Sequence, residues 1–175
     1  ASINLIRWRL NFLHSMTDEV GRLVLQDNID QNMLLLNDRQ RVIEWSPSFE
    51  RLMDWLEEHA GLDRALEALP TKEELRARVA EGQGLTAPEL SVLAAYAKIE
   101  LTRALTASDL ADDPYFRGTL RRYFPKQLVE RFDDQLDTHP LRREIISTMV
   151  ANDMINIGGI TFAFRVMEET SASEA

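Results

Sequence analysis

The chain has 175 residues, 45% of them hydrophobic and 28% charged, with a formal net charge of −9 and no cysteine. The missing thiols exclude disulfide scaffolds, thiolate zinc sites, iron–sulfur clusters and cysteine nucleophiles. The acidic balance opposes default binding to phosphate backbones or anionic membranes, so neither nucleic acid nor a membrane is an expected partner. A chain of this length buries roughly 70% of its unfolded surface, so a packed core is expected.

No apolar run approaches the ~20 residues needed to span a bilayer, and the N-terminus lacks the apolar block of a secretory signal. A cysteine-free chain of this kind suggests the cytoplasm. The first residue is Ala1 rather than Met, which suggests a processed or excised chain.

In chain order, Thr17 and Asp18 lead into Val20, Leu23, Val24 and onward to Leu34, which predicts one of the longer helices. Inside it, the run from Asp27 to Asn32 is rich in Asn and Asp, both weak helix formers. A solvated helix face is the default reading of that run. Its polar side chains make Asp27, Asn28, Gln31 and Asn32 candidate partner contacts.

Val42–Trp45 is the single short strand candidate, since no other segment alternates between turn signals. Ser46–Pro47, then Phe49, Leu52, Met53 and Leu56, ending at Gly61, reads as a cap, a first-turn proline, an apolar stripe and a glycine stop. Thr71 with Glu74 is a capping box opening a short helix halted by Gly82. Thr86 with Glu89 repeats the device ahead of Leu90, Leu93, Ala94, Ala97, Leu101 and Ala104, a long buried stripe.

Between those two helices, Gly82-Gln83-Gly84-Leu85-Thr86-Ala87 matches the G-x-G-x-x-A form of a dinucleotide fingerprint. That chemistry needs a strand before the loop, so that a helix N-terminus is aimed at the pyrophosphate. The preceding residues are a charged helix. The string therefore reads as a helix stop followed by a capped helix start.

Asp113–Pro114 starts another helix, which Pro125 ends before opening a short one through Leu128, Val129 and Phe132. Around them, Arg121, Arg122 and Lys126 are interleaved with Tyr115, Phe116, Tyr123 and Phe124, and Arg142–Arg143 follow on the next helix. Such a mixture recurs at single-stranded nucleic-acid sites and at protein interfaces. With a net charge of −9, an interface or a set of internal salt bridges is the better reading. His139–Pro140 opens a long helix to Met154, Gly158–Gly159 breaks it, Ile160–Glu169 resumes, and the tail frays.

His14, His59 and His139 are far apart, and His14 with Asp18 does not make a zinc site. Adjacent acid pairs such as Asp112–Asp113 and Asp133–Asp134 point in different directions on a helix and form no acid/base couple. No catalytic, cofactor-binding or metal-binding residue is assigned.

The fold expected is all-α: a bundle of about eight to ten helices, as one unit over residues 1–175 or as two packed layers divided near 82–84, with a frayed tail at 171–175.

Several strings in order resemble a known family. They are Met16–Val20, Val24–Asn28 with Gln31–Asn32, Leu62–Glu67, Gly84–Leu90, Asp112–Tyr115, Tyr123–Pro125, His139–Ile146, and Gly159–Phe162 with Phe164–Arg165. This series resembles the C-terminal region of the large bacterial NAD-specific glutamate dehydrogenases, from about Leu10 to Thr170. The resemblance implies a parent enzyme that oxidises L-glutamate with NAD to 2-oxoglutarate, with NAD bound outside this segment.

The same resemblance implies an upstream catalytic domain as partner and a homo-oligomeric parent. The three lysines, Lys72, Lys98 and Lys126, sit in helical contexts unlike a dehydrogenase's catalytic lysine. The segment itself is thus expected to be inactive and to support the catalytic core or subunit assembly. Two other readings stay open: an independent adaptor using the Arg117–Arg143 surface, and an amino-acid-sensing module using Asp27–Asn32.

Overall fold

The computed structural model describes residues 2–173, with side chains described over 3–169. Among the described residues it contains eight α-helices, two short 3-10 turns and no strand. The helices are α1 (Ser2–Glu44), α2 (Ser46–His59), α3 (Lys72–Ala80), α4 (Ala87–Ala107), α5 (Arg117–Tyr123), α6 (Lys126–Leu136), α7 (Arg142–Gly158) and α8 (Ile160–Ser173). The 3-10 turns, Leu110–Asp112 and Pro114–Phe116, join α4 to α5.

The predicted helix from Thr17 to Leu34 is the middle of α1, which runs for 43 residues. At 1.5 Å per residue it is about 65 Å long. The strand candidate at Val42–Trp45 is wrong. Leu34, Asp38 and Val42 are all buried and recur at four-residue intervals, a helical register, so Val42 and its neighbours form the last turn of α1. The cap of α2 also differs: Ser46 lies inside the first turn, and Trp45 holds the N-cap position without a side-chain bond.

The other punctuation forms as its chemistry requires. Gly61 takes φ +68°, and the Leu62 N–H reaches back to the Leu56 carbonyl at 3.1 Å. Both capping boxes are present, with Thr71 and Glu74 on α3 and Thr86 and Glu89 on α4 exchanging backbone and side-chain bonds. Gly82, at φ +72°, ends α3: its N–H bonds the Val79 carbonyl and the Gln83 N–H bonds the Arg78 carbonyl. That is a Schellman closure, in which a residue without Cβ carries the left-handed backbone.

Two cores result. The larger joins Leu34 and Val42 of α1, Phe49, Leu52, Met53 and Leu56 of α2, and Leu75 of α3 to the stripe of α4, the second half of α7, and α8. Leu75 and Leu85 flank the Gly82–Gly84 link and both belong to this core. Each fully buried Leu or Phe contributes about 1.5–3 kcal/mol of transfer free energy. The smaller core holds Ala111, Leu120, Leu136, Ile145 and Ile146, with Phe116, Phe124 and Val129 packed on them. Helix α7 takes part in both.

The tail expected at 171–175 continues α8 as far as Ser173 in backbone, and residues 174 and 175 lie outside the described residues.

Candidate interaction surfaces

The arginines of α5 and α7 are committed within the molecule. Arg121 donates from Nε to Asp133 Oδ1 at 2.6 Å and from Nη1 to Asp137 Oδ1 at 3.1 Å, while Arg117 also donates to Asp137. Hydrogen bonds from Arg121 first and Arg117 second pull the Asp137 carboxyl down to about 2. The same bonds, with Asp133 first, raise the Arg121 guanidinium above its ordinary value. Arg122 pairs with Asp153 of α7 at 2.7 Å.

The α7 pair works at helix ends. Arg142 donates to the Ala111 carbonyl at 2.7 Å, and Arg143 donates to the Thr106 carbonyl at 3.1 Å, to the Ser108 carbonyl and to Asp112. Cations placed on the last carbonyls of α4 satisfy acceptors that a helix leaves unpaired. Lys126 differs. It is exposed and, among the described residues, forms no ion pair within 4 Å. Its charge is a minor contributor to the lowered Glu19 carboxyl, behind the hydrogen bond from Arg22.

The polar run on α1 is exposed at Asp27, Asn28, Gln31 and Asn32. Asn28 and Asn32 donate to the Val24 and Asn28 carbonyls at 2.8 and 2.9 Å, and Gln26 donates to Asp30 at 2.8 Å. These local bonds let weak helix formers sit mid-helix without unpaired amides. The charge of Asp27 acts on Lys98 of α4, whose amine is lowered chiefly by burial, with Asp27 opposing.

A long row of exposed apolar side chains lies where neither set of candidate residues was placed. Ile3, Ile6, Leu10, Leu13, Val20 and Val24 of α1 are 45–78% exposed. A second row, Leu25, Ile29, Met33 and Leu36, is exposed farther along. A different face of the outer half is held by α6: the Arg131 guanidinium lies 4.2 Å above the Trp8 ring, Phe12 meets Phe132 edge-on at 6.5 Å, and Gln127 donates to the Ser15 carbonyl at 2.7 Å. The signal that finds the first row is the seven-residue recurrence of Ile3, Leu10 and Val24, and of Ile6, Leu13 and Val20.

A glycine of each motif meets packed neighbours. The Gly84 Cα faces Val42 so closely that a Cβ there would lie 3.0 Å from the valine side chain. Gly159, at φ +89° and ψ 168°, breaks α7 from α8 beside Asp38. Asp38 is fully buried, pairs with Arg41 at 2.6 Å and accepts the Ile160 N–H at 2.9 Å. Two of the histidines serve local structure as well. His59 stacks on Trp55 at 4.7 Å, and His139 Nδ1 accepts the Leu141 N–H at 3.1 Å. Among the described residues, no three metal-capable side chains converge and no helix is long and apolar enough to cross a membrane.

Comparison with known proteins adds the following. The profile of the family described as "Glutamate dehydrogenase, C-terminal" matches residues 82–175. The chain is 42% identical over 165 residues to an NAD-specific glutamate dehydrogenase of Mycobacterium tuberculosis, covering 94% of this chain and 10% of that protein. It is 47% identical over 163 residues to the NAD-specific glutamate dehydrogenase of Pseudomonas aeruginosa, covering 93% of this chain and 10% of the relative. The corresponding enzyme of Halomonas elongata is 43% identical over 171 residues, covering 95% and 10%. The chain thus spans a tenth of the length of the curated relatives it matches.

Proposed function

Because the chain belongs to the glutamate dehydrogenase C-terminal family, we propose that it is the helical C-terminal domain of a much longer NAD-dependent glutamate dehydrogenase. The parent reaction is oxidative deamination of L-glutamate to 2-oxoglutarate with NAD, performed by residues outside this chain. This domain supports the catalytic core or the assembly of subunits, in the cytoplasm, as part of a homo-oligomer.

The observation that carries the supporting role is the outer half of α1. Its apolar face is left uncovered among the described residues, whereas the arginines of α5 and α7 are bonded within the molecule. Soluble monomers seldom leave a contiguous apolar row of this length in water. Of the candidate contacts, Asp27, Gln31 and Lys126 stand on exposed surface of α1 and α6 and remain available to a partner. The arginines and Asn28 and Asn32 support the fold first.

Two measurements test the reading. The isolated chain mixed with glutamate and NAD should form no NADH. Full-length enzyme cut short before α1 should lose subunit assembly or turnover. Activity in the isolated chain, or an undisturbed truncated enzyme, overturns the proposal.

A further inference from the structure

The uncovered row on α1 has a register. Ile3, Leu10, Thr17 and Val24 recur every seven residues, and Ile6, Leu13 and Val20 interleave three positions later. That is an a/d heptad seam over three turns of the repeat, apolar at every position but Thr17, and the pattern that drives two helices into a left-handed pair. Continued inward, the repeat passes through the exposed polar pair Asp27 and Gln31 to Leu34 and Asp38, which are buried in this chain's own core. The seam therefore starts in the protein and runs out beyond the helices that cover it.

The charges along α1 name the second helix. Residues 1–17 hold Arg7 and Arg9 and no acid, whereas 18–30 hold Asp18, Glu19, Asp27 and Asp30 against the single base Arg22. Two such helices side by side and parallel would stack Asp27 on Asp27 in the seam and bring the basic ends together. Antiparallel, with Leu10 opposite Val20 and Leu13 opposite Thr17, Ile6 meets Val24, and Asp27 falls opposite Ile3 at the end of the seam, one helical turn from the other copy's Arg7. Flanking charges of this kind set orientation in paired helices. The face toward α6, occupied by Trp8, Phe12 and Ser15, is not the seam, so both contacts fit one helix.

We propose that the Ile3–Val24 seam of α1 pairs with the same seam of a second copy, antiparallel. The proposal rests on the assembly role given above and specifies its surface.

The chain has no cysteine, so introduced thiols report contacts directly. Sedimentation of the 175-residue chain at tens of micromolar should give twice the monomer mass. Leu13→Glu with Val20→Glu should return it to monomer mass, weakening association at least tenfold, with helical circular dichroism retained because both positions are exposed in the single chain. Under mild oxidation, Leu10→Cys mixed with Val20→Cys should cross-link, and Leu10→Cys alone should not.

A monomer in the unaltered chain overturns the proposal, as does cross-linking of Leu10→Cys to itself, which would show parallel pairing. Neither result touches the domain reading. That reading fails only if the isolated chain forms NADH or if the truncated longer enzyme is undisturbed.

Discussion

The carboxylate of Asp38, fully buried in α1, accepts the backbone N–H of Ile160 at 2.9 Å, across 122 positions of sequence. One oxygen closes the buried start of α8 while the other holds Arg41. An anion at a helix N-terminus is favourable both as a cap and against the helix dipole. Here it is supplied by a different helix, so the bond that starts α8 also fixes α8 on α1.

Removing that carboxylate should cost more than an ordinary surface pair. Asp38→Ala leaves a buried N–H and an arginine without their acceptor, an expected loss of ~2–4 kcal/mol. Urea unfolding measures it. Arg41→Ala leaves the buried acid uncompensated, so the double variant should lose less than the sum of the two single losses.

Gly159 sits against the same pair. A Cβ there would lie 2.4 Å from Arg41 Nη1 and 2.8 Å from Asp38 Oδ1, at a φ of +89° that residues with a Cβ rarely adopt. Gly159→Ala should therefore destabilise by at least ~2 kcal/mol. Gly118 of α5 has nothing within 4 Å of such an atom. Gly118→Ala should instead gain ~0.5–1 kcal/mol. Thermal melts of the two variants should move in opposite directions.

Glu89 couples stability to pH. Burial pushes its carboxyl up, but the Thr86 N–H, Arg78 and the Thr86 hydroxyl hold it down, and the net shift is downward. A group whose folded pKa is depressed contributes stability above its unfolded value, and that contribution is lost as pH falls through the folded one. Melting temperature should therefore drop on acidification below ~4.5, the ordinary glutamate range. Glu89→Gln should cost ~1 kcal/mol at neutral pH through the weakened cap and should flatten that part of the profile.

The Arg121 network should behave differently. Asp137 is held at about 2, so its contribution is present above the usual aspartate range and fades only as pH falls toward about 2. The pairs are partly exposed, and Arg121→Ala should cost less than ~1 kcal/mol in 1 M salt, rising at low salt. Arg121→Lys should not restore the loss, because one ammonium cannot bridge Asp133 and Asp137 as the guanidinium fork does.

Much of this fold is legible in the residues because its signals are local. Thr71/Glu74, Thr86/Glu89, Gly61, Gly82 and the Gly158–Gly159 break each act within a few positions, and each forms as its chemistry demands. The Gly82–Ala87 string is separable from a nucleotide loop for the same reason: the helix before it is written in its own residues. The errors are local too. Val42–Trp45 is apolar enough for a strand, and only the burial of Asp38 and Leu34, one and two turns earlier, gives its true period.

The surfaces are harder to read. Arg121 or Arg143 looks the same in sequence whether it meets a partner or the protein's own carbonyls, since Asp137 and Thr106 come near only through folding. The outer half of α1 was hidden by the opposite problem. Its apolar residues look like core, and their exposure follows from which helices stop short of them.

Arg143 has one more consequence. By fastening the carbonyls of Thr106 and Ser108, it ties the end of α4 to the start of α7 and closes the neck of an excursion running from residue 109 to 142. That excursion carries most of the smaller core and only a few links to α1. A segment cinched at its base can open while the rest stays folded, because its ends need not separate. Amides of α5 and α6 should then exchange with solvent together and well before those of α4. Arg143→Ala should speed that opening without hastening exchange in the larger core, making this arginine a clasp between two independently breathing parts.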